Sequence, residues 1–332
     1  GMASMITAYL PQGGQLQRIV LTPDSTLPSG VVWIDLLEPT PDEEKAVERL
    51  LELEMPTREE MQEIEISSRL YREGDASYMT ANILYQAETP HPQTTAVTFM
   101  RTPKAVVTLR YADPLSFRQF VARAQRQQSL SSPPDAVLCG LLDSIVDRAA
   151  DVLESAGKDL DGVSRNIFGY GTAAEYESAD EMDLEDAVRK LGRVEDLTSR
   201  IRDSLVSLTR LIAFLTLSMT EQRGTKEARQ WLKTLSRDVQ SLNEQAAFLA
   251  HKGNFLLDAT LGLINIQQTK IIKIFSVAAT VFLPPTLIAS IYGMNFEHMP
   301  ELSWPIGYPM ALLLMLASAV LPYWWFKRKG WL

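Results

Sequence analysis

Between Ile274 and Phe296 the chain runs for 23 residues without a charged side chain, and between Leu302 and Phe326 for another 25. About 20 such residues in a helix cross the roughly 30 Å hydrocarbon core of a bilayer. Each run is therefore long enough to span a membrane. A mean hydropathy of -0.05 hides both runs, because the 273 residues before them have the make-up of a soluble protein and are enough for one or two domains with real cores. With 46% apolar and 22% charged residues, the chain is neither disordered, nor collagen-like, nor a disulfide scaffold.

The net charge of -9 is carried by the part before Ile274, since the two runs and their ends add only Lys327, Arg328 and Lys329 against Glu297 and Glu301. A surface of that sign argues against nucleic acid as a partner. Cys139 is the lone cysteine, so no intrachain disulfide is expected, which fits a reducing compartment. The opening residues Gly1 to Met5 lack a basic segment followed by a long apolar run, and no secretory leader is expected.

Patterning divides the chain into an α/β domain over residues 1–130, a helical region over 131–224 and a stalk helix over 225–273. A first span over 274–296, an outer loop over 297–301, a second span over 302–326 and a basic tail over 327–332 complete it. The fold class is α+β. Val31 to Leu36, Ser77 to Tyr85, Thr95 to Met100 and Ala105 to Tyr111 read as strands, and Pro41 to Leu53, with Thr40 as N-cap, and Pro114 to Gln125 as helices. Turn signals lie at Gly169 to Gly171 and at Gly224. Between them Leu191, Val194, Ile201, Leu205, Leu208, Ile212, Leu215 and Met219 repeat at a 3,4 spacing that Thr198 interrupts, the pattern of a coiled-coil-like seam. After Gly224 no proline occurs until Pro284, so one helix is expected to run from about residue 225 into the first span. Its part before Lys273 would measure roughly 70 Å.

Lys270 and Lys273 precede the first span and Lys327, Arg328 and Lys329 follow the second, whereas the connection carries only Glu297 and Glu301. The bias of Lys and Arg toward the cytoplasmic side predicts that both termini are cytoplasmic. The connection then faces outward, with an acidic lip that favours cations.

The first span closes on Tyr292-Gly293-Met294-Asn295, and Phe296-Glu297-His298-Met299-Pro300-Glu301-Leu302 leads to the second. This resembles the CorA family of magnesium channels, whose signature is Gly-Met-Asn at the outer end of the first of two C-terminal spans, followed by a Met-Pro-Glu-Leu type loop. The resemblance covers about residues 225–332, including Phe282-Leu283-Pro284-Pro285-Thr286 and the basic end. It implies a transporter rather than an enzyme: Mg²⁺ uptake, with Co²⁺ or Ni²⁺ as substitutes, across a bacterial inner membrane, regulated by intracellular Mg²⁺. It also implies a homo-oligomeric ring of five subunits, and Mg²⁺ rather than any organic cofactor. Gly293, Met294 and Asn295 would form the selectivity filter. Asp258 resembles the family's acidic ring at the cytoplasmic pore mouth. Asp238 and Glu88 could hold a regulatory ion between subunits, whose facing carboxylates repel until a cation sits between them.

The chemistry of the residues suits this. Mg²⁺ holds its first hydration shell tightly and prefers octahedral oxygen, so neutral carbonyl oxygens such as that of Asn295 can accept hydrogen bonds from its waters. Gly293 lets backbone approach, although Gly-Asn is equally a helix C-cap. Two spans cannot enclose a pore, so copies must share one. Stepping back from Gly293 at a 3,4 spacing gives Ser290, Thr286, Leu283, Ala279, Phe275 and Ile272 on one face. Its inner half is apolar, making Ile272, Phe275 and Leu283 the expected gate, closed by dewetting. Thr286 and Ser290 would equally bond to backbone within a bundle.

The window Glu175 to Asp186 holds seven acids and no base, and reads as a solvated helix start rather than an EF-hand, whose glycine and closing glutamate it lacks. His91, His251 and His298 offer no zinc-ligand spacing, and no Walker sequence occurs, so transport would draw on the membrane potential. Two other readings remain open: a ZntB-type zinc transporter, and a membrane-anchored helical sensor or scaffold.

Overall fold

The computed structural model describes residues 5–126, 133–169 and 184–330. Tyr170, Gly171 and the acidic window before Leu184 lie outside the described residues. Two compact units are present, residues 1–257 and 258–332.

In the first unit a seven-stranded sheet has the order β2-β1-β3-β7-β6-β5-β4. The strands are β1 (Met5–Gln12), β2 (Gln15–Leu21), β3 (Trp33–Leu37), β4 (Leu70–Glu73), β5 (Ala76–Tyr85), β6 (Gln93–Arg101) and β7 (Val106–Arg110). All neighbours are antiparallel except the central pair β3 and β7, in register Asp35 to Thr108. Side chains alternate between the two faces. Ile6, Ile34, Tyr78, Met100 and Val107 enter a core with Val47 and Leu51 of α1 (Pro41–Leu51) and Met61 of α2 (Arg58–Met61). Trp33, Met79, Phe99 and Val106 enter the other, with Phe117 and Phe120 of α4 (Leu115–Ala124) and the apolar faces of α5 (Pro134–Phe168) and α6 (Leu184–Glu221). A short α3 (Ile66–Arg69) leads into β4. The Thr40 cap is a full capping box: its hydroxyl accepts from the Glu43 amide, and the Glu43 carboxylate accepts from the Thr40 amide at 2.8 Å.

Three expectations change. Residues 131–224 are not a unit apart from the sheet, because the apolar faces of α5 and α6 bury themselves against the sheet and share its core. Thr198 does not break the seam: it is 1% exposed on the buried face of α6, between Val194 and Ile201. The second helix of the C-terminal unit, α8 (Gly307–Arg328), begins five residues later than the charge-free run, behind a 3₁₀ turn at Pro300–Ser303. Pro305 has no amide hydrogen to offer a helix started at Leu302.

At the centre of the sheet an ion pair lies out of water. Arg110 grips Asp35 with two bonds, Nε to Oδ1 at 3.0 Å and Nη2 to Oδ2 at 2.8 Å, and its Nη1 reaches Asp113 at 2.7 Å. The Thr108 hydroxyl donates to Asp35 at 2.6 Å and accepts from the Trp33 indole at 3.0 Å. Burial alone would lower the Arg110 pKa; Asp35 and Asp113 outweigh it and hold the guanidinium above its ordinary value.

The long helix α7 (Lys226–Tyr292) supplies the first unit with Leu235, Leu242, Ala246, Leu249 and Leu256, all buried. In the second unit its half-buried positions include Val277, Val281, Pro284, Ile288 and Tyr292, flanked by Ala278, Thr280 and Pro285; those of α8 include Ala311, Met315, Ser318, Pro322 and Phe326, with Met310 and Ala319 beside them. The named positions in each helix follow a 3,4 spacing, so each helix has one less exposed face. The start of α8 is pinned by Gly307, whose amide donates to the Trp304 carbonyl at 3.1 Å. A Cβ there would stand 2.4 Å from the carbonyl oxygen of Glu301.

Asp35→Ala leaves a buried guanidinium with half its partners and is expected to destabilise the first unit by about 3–5 kcal/mol, read as a lowered denaturation midpoint. Gly307→Ala must displace the Glu301 carbonyl. We expect a cost of about 1–3 kcal/mol, checked by the thermal unfolding midpoint of the detergent-solubilised chain.

Candidate functional site: a polar helix end and its exposed stripe

Among the described residues, three helices are long and apolar enough to cross a membrane by length and composition: α6, α7 and α8. The richest stretch of α6 is 44% buried within the chain, against 6% for α7 and 0% for α8. Packing therefore accounts for α6, while the apolar side chains of the other two lack cover. Phe275, Phe282, Leu313 and Leu316 are each more than 60% exposed. So large an exposed apolar surface marks contact with lipid or with further protein.

The stripe expected from the sequence is fully on view. Ile272, Phe275, Ala279, Leu283, Thr286 and Ser290 are all exposed. At 100° per residue their mean direction lies nearly opposite the half-buried stripe of α7. The Thr286 hydroxyl donates to the Phe282 carbonyl at 2.7 Å. Its proton is thus used within the helix, and what it presents outward is acceptor lone pairs.

Helix α7 ends with Gly293, whose amide donates to Ala289 at 2.9 Å, followed by Met294 donating to Ile291 at 3.3 Å. A Cβ on Gly293 would sit 3.0 Å from the Ala289 carbonyl oxygen and 3.7 Å from that of Ser290. Its absence leaves the Ser290 oxygen uncovered, while the Ala289 oxygen is taken by the Gly293 amide. Met294 and Asn295 are exposed, and no hydrogen bond within the described chain occupies the Asn295 amide. Glu297 is exposed and Glu301 half-buried in the 3₁₀ turn. Gly307, which sets that turn against α8, is the positional residue that sequence reading missed. The signal is steric: nothing in composition marks a glycine at which a Cβ would strike the backbone of Glu301, six residues earlier.

The remaining acids are scattered. Asp258 is exposed at the first position of the second unit. Glu88 is paired with Arg148 at 3.0 Å. Asp238 is exposed on α7 and contributes to raising the pKa of Asp143, which burial lifts first and Asp147 next. Among the described residues, no three His, Cys, Asp or Glu side chains converge to hold a metal within one chain, so Glu88 and Asp238 belong to no such group. At the far end of α8, Arg328 lies over the Trp324 ring at 5.3 Å and Lys329 over Trp325 at 5.5 Å, which fixes a basic and aromatic collar.

The profile of the family described as CorA-like Mg²⁺ transporter protein matches residues 28–328. The magnesium transport protein CorA of Pectobacterium atrosepticum is 36% identical over 329 residues, covering 99% of this chain and 100% of that protein, and that of Escherichia coli (strain K12) gives the same figures. Among solved structures, the complete CorA magnesium transporter of Methanocaldococcus jannaschii has a TM-score of 0.70 at 17% identity, covering 100% of both chains. Full-length CmaX has a TM-score of 0.69 at 15% identity, over 99% of this chain and 98% of that one. The cytoplasmic domain of ZntB from Vibrio parahaemolyticus reaches 0.54 at 11% identity, over 80% of this chain and 99% of that one. At such identities these structures speak for the fold: an N-terminal sheet domain followed by long helices. The profile covers most of the sequence and the relatives align along its whole length, so the chain belongs to the CorA-like Mg²⁺ transporter family.

Proposed function

We propose that copies of this chain assemble as a ring, of five subunits by family resemblance, in a bacterial inner membrane, and conduct hydrated Mg²⁺ inward along α7. The observation that carries the reading is the exposed stripe from Ile272 to Ser290, which lies opposite the half-buried face of α7 and leads to the acceptor oxygens of Ser290 and Asn295. A cation that keeps its waters presents hydrogen-bond donors, and this helix end offers acceptors. Stripping the shell from Mg²⁺ would be slow; accepting bonds from it is not. Gly293, Met294 and Asn295 then form the filter, with Glu297 and Glu301 concentrating cations outside it. Ile272, Phe275 and Leu283 close the path when their apolar side chains meet across the axis.

Both termini are placed in the cytoplasm by the Lys and Arg flanks. A potential of 100 mV, negative inside, then favours inward movement of a divalent ion by about 4–5 kcal/mol, so the chain works by conduction and requires no catalytic step. Asp258 forms the inner acidic mouth. Asp238 and Glu88 take part in sensing internal Mg²⁺ at subunit contacts; for Glu88 this requires release of Arg148. Zinc is the less favoured cargo: both curated relatives above are magnesium transport proteins, whereas the likeness to ZntB is one of fold. A pure scaffold leaves the acceptor-lined stripe without a role.

Asn295→Ala is expected to abolish Mg²⁺ uptake into liposomes, measured with an internal Mg²⁺ indicator, while mass measurement in mild detergent still finds the ring. Uptake at the wild-type rate removes Asn295 from the filter. Asp258→Ala should shift the dependence of uptake on internal Mg²⁺, and an unchanged dose response returns it to the solvated surface.

A further inference from the structure

Between the segment holding α2 and α3 and the face of the sheet lies a cavity of about 350 Å³, at the small end of the range for ligand pockets. Asn82 of β5 and Thr94 of β6 line it from the sheet, and Arg58, Met61 and Arg69 line it from the helical segment. Two arginines and no aspartate or glutamate line this cavity, in a chain whose net charge is -9. Neither arginine forms an ion pair within the described chain. The Arg58 guanidinium lies over the Tyr111 ring, 4.7 Å from its centroid. Arg69 donates from Nη2 to Asn82 Oδ1 at 2.7 Å, while its Nε is buried without a partner. Two neighbouring carboxylates are engaged by neutral groups: Asp203 accepts from the Asn82 amide nitrogen at 2.9 Å, and Glu44 accepts from the Tyr111 hydroxyl at 3.0 Å. Burial lowers the pKa of Arg69; Asp203 opposes this and Arg210 adds to it.

A guanidinium offers five N–H donors in a planar fork that fits phosphate oxygens two at a time. Arg69 uses one of them within the chain, and stacking holds Arg58 by the face of its fork, leaving the donors at its edge unspent. A phosphomonoester carries close to two negative charges near pH 7, one for each arginine, whereas a lone carboxylate would match only one of them. From this we infer that the cavity binds a small phosphomonoester, whose phosphoryl oxygens accept from Arg58 and Arg69 and whose organic part lies against Met61 and Ile64. Met61 is 2% exposed and Ile64 88%, so the apolar wall runs from the core out to the rim, where the organic group meets water. Every residue of this site belongs to the first unit, and the inference does not rest on conduction or on a ring.

The test follows phenyl phosphate binding to the full detergent-solubilised chain by saturation-transfer NMR, with EDTA present so that no divalent ion bridges ligand and protein. Phenyl phosphate should bind and be displaced by inorganic phosphate, and phenol should not compete with it. Arg58→Ala and Arg69→Gln should each raise its Kd about tenfold or more, the loss of a charged hydrogen-bonding partner. Circular dichroism checks that both variants fold. Arg58 is exposed, so its variant decides the matter if Arg69→Gln does not fold. Absence of binding to the wild type overturns the inference, as does binding that inorganic phosphate does not displace or that Arg58→Ala leaves unchanged.

Discussion

A backbone amide in hydrocarbon finds no water to bond with, so a segment that crosses a bilayer must satisfy its hydrogen bonds within itself. Helix α7 meets that demand and also supplies core residues to the water-soluble unit, from Leu235 to Leu256. One element therefore answers to two solvents. Its lower part is amphipathic, with apolar residues turned to α5, α6 and the sheet, while its upper part is apolar almost all round and leaves only a polar end. The change of pattern within one helix makes the two units a single protein rather than a domain with an anchor.

The sheet domain shows how a small acidic unit can be rigid at its centre. The Asp35–Arg110 pair costs desolvation and gains it back because its charged atoms are engaged: all three guanidinium nitrogens by two aspartates and the Ala112 carbonyl, both carboxylate oxygens by Thr108 and Arg110. Such a network adds little over a hydrophobic replacement, but it permits only one register of β3 on β7. A slipped register would strand a charge in the core. Around it, α6 docks on β5 through matched polar groups, with Ser77 against Ser218 at 2.7 Å and the Asn82 amide donating to Ser207 at 2.9 Å.

Much of this could be read from residue order because the relevant signals are local. The Thr40 cap, the strands around Ile34, Met79, Phe99 and Val107, the seam from Leu191 to Met219 and the single helix from the Gly224 turn all rest on spacing over a few residues. What escaped depends on neighbours distant in sequence. The β1–β2 hairpin carries a Gly13-Gly14 turn signature, yet Pro11, Gln12, Gln15 and Gln17 blur the apolar alternation, and the strands are fixed by pairing with β3. Thr198 looks like a break in the seam and is buried because its neighbours cover it. The site divides in the same way: Gly293, Asn295 and the stripe below them follow from order and period, whereas the role of Gly307 depends on where the Glu301 carbonyl comes to rest.

Prolines at 284 and 285 bring no amide hydrogen to the middle of the span, so the carbonyls of Thr280 and Val281 lose the donors that a regular helix would give them. Two consecutive rungs of the ladder are missing on one side of the rod. The last two turns of α7, from Thr286 to Tyr292, are thus joined to the rest by a weakened ladder, which makes Pro284-Pro285 a compliant joint below Gly293-Met294-Asn295. A twist at that joint would turn the six-residue segment from Ile291 to Phe296, which carries Asn295, as one piece and leave the part of the helix before Pro284 undisturbed.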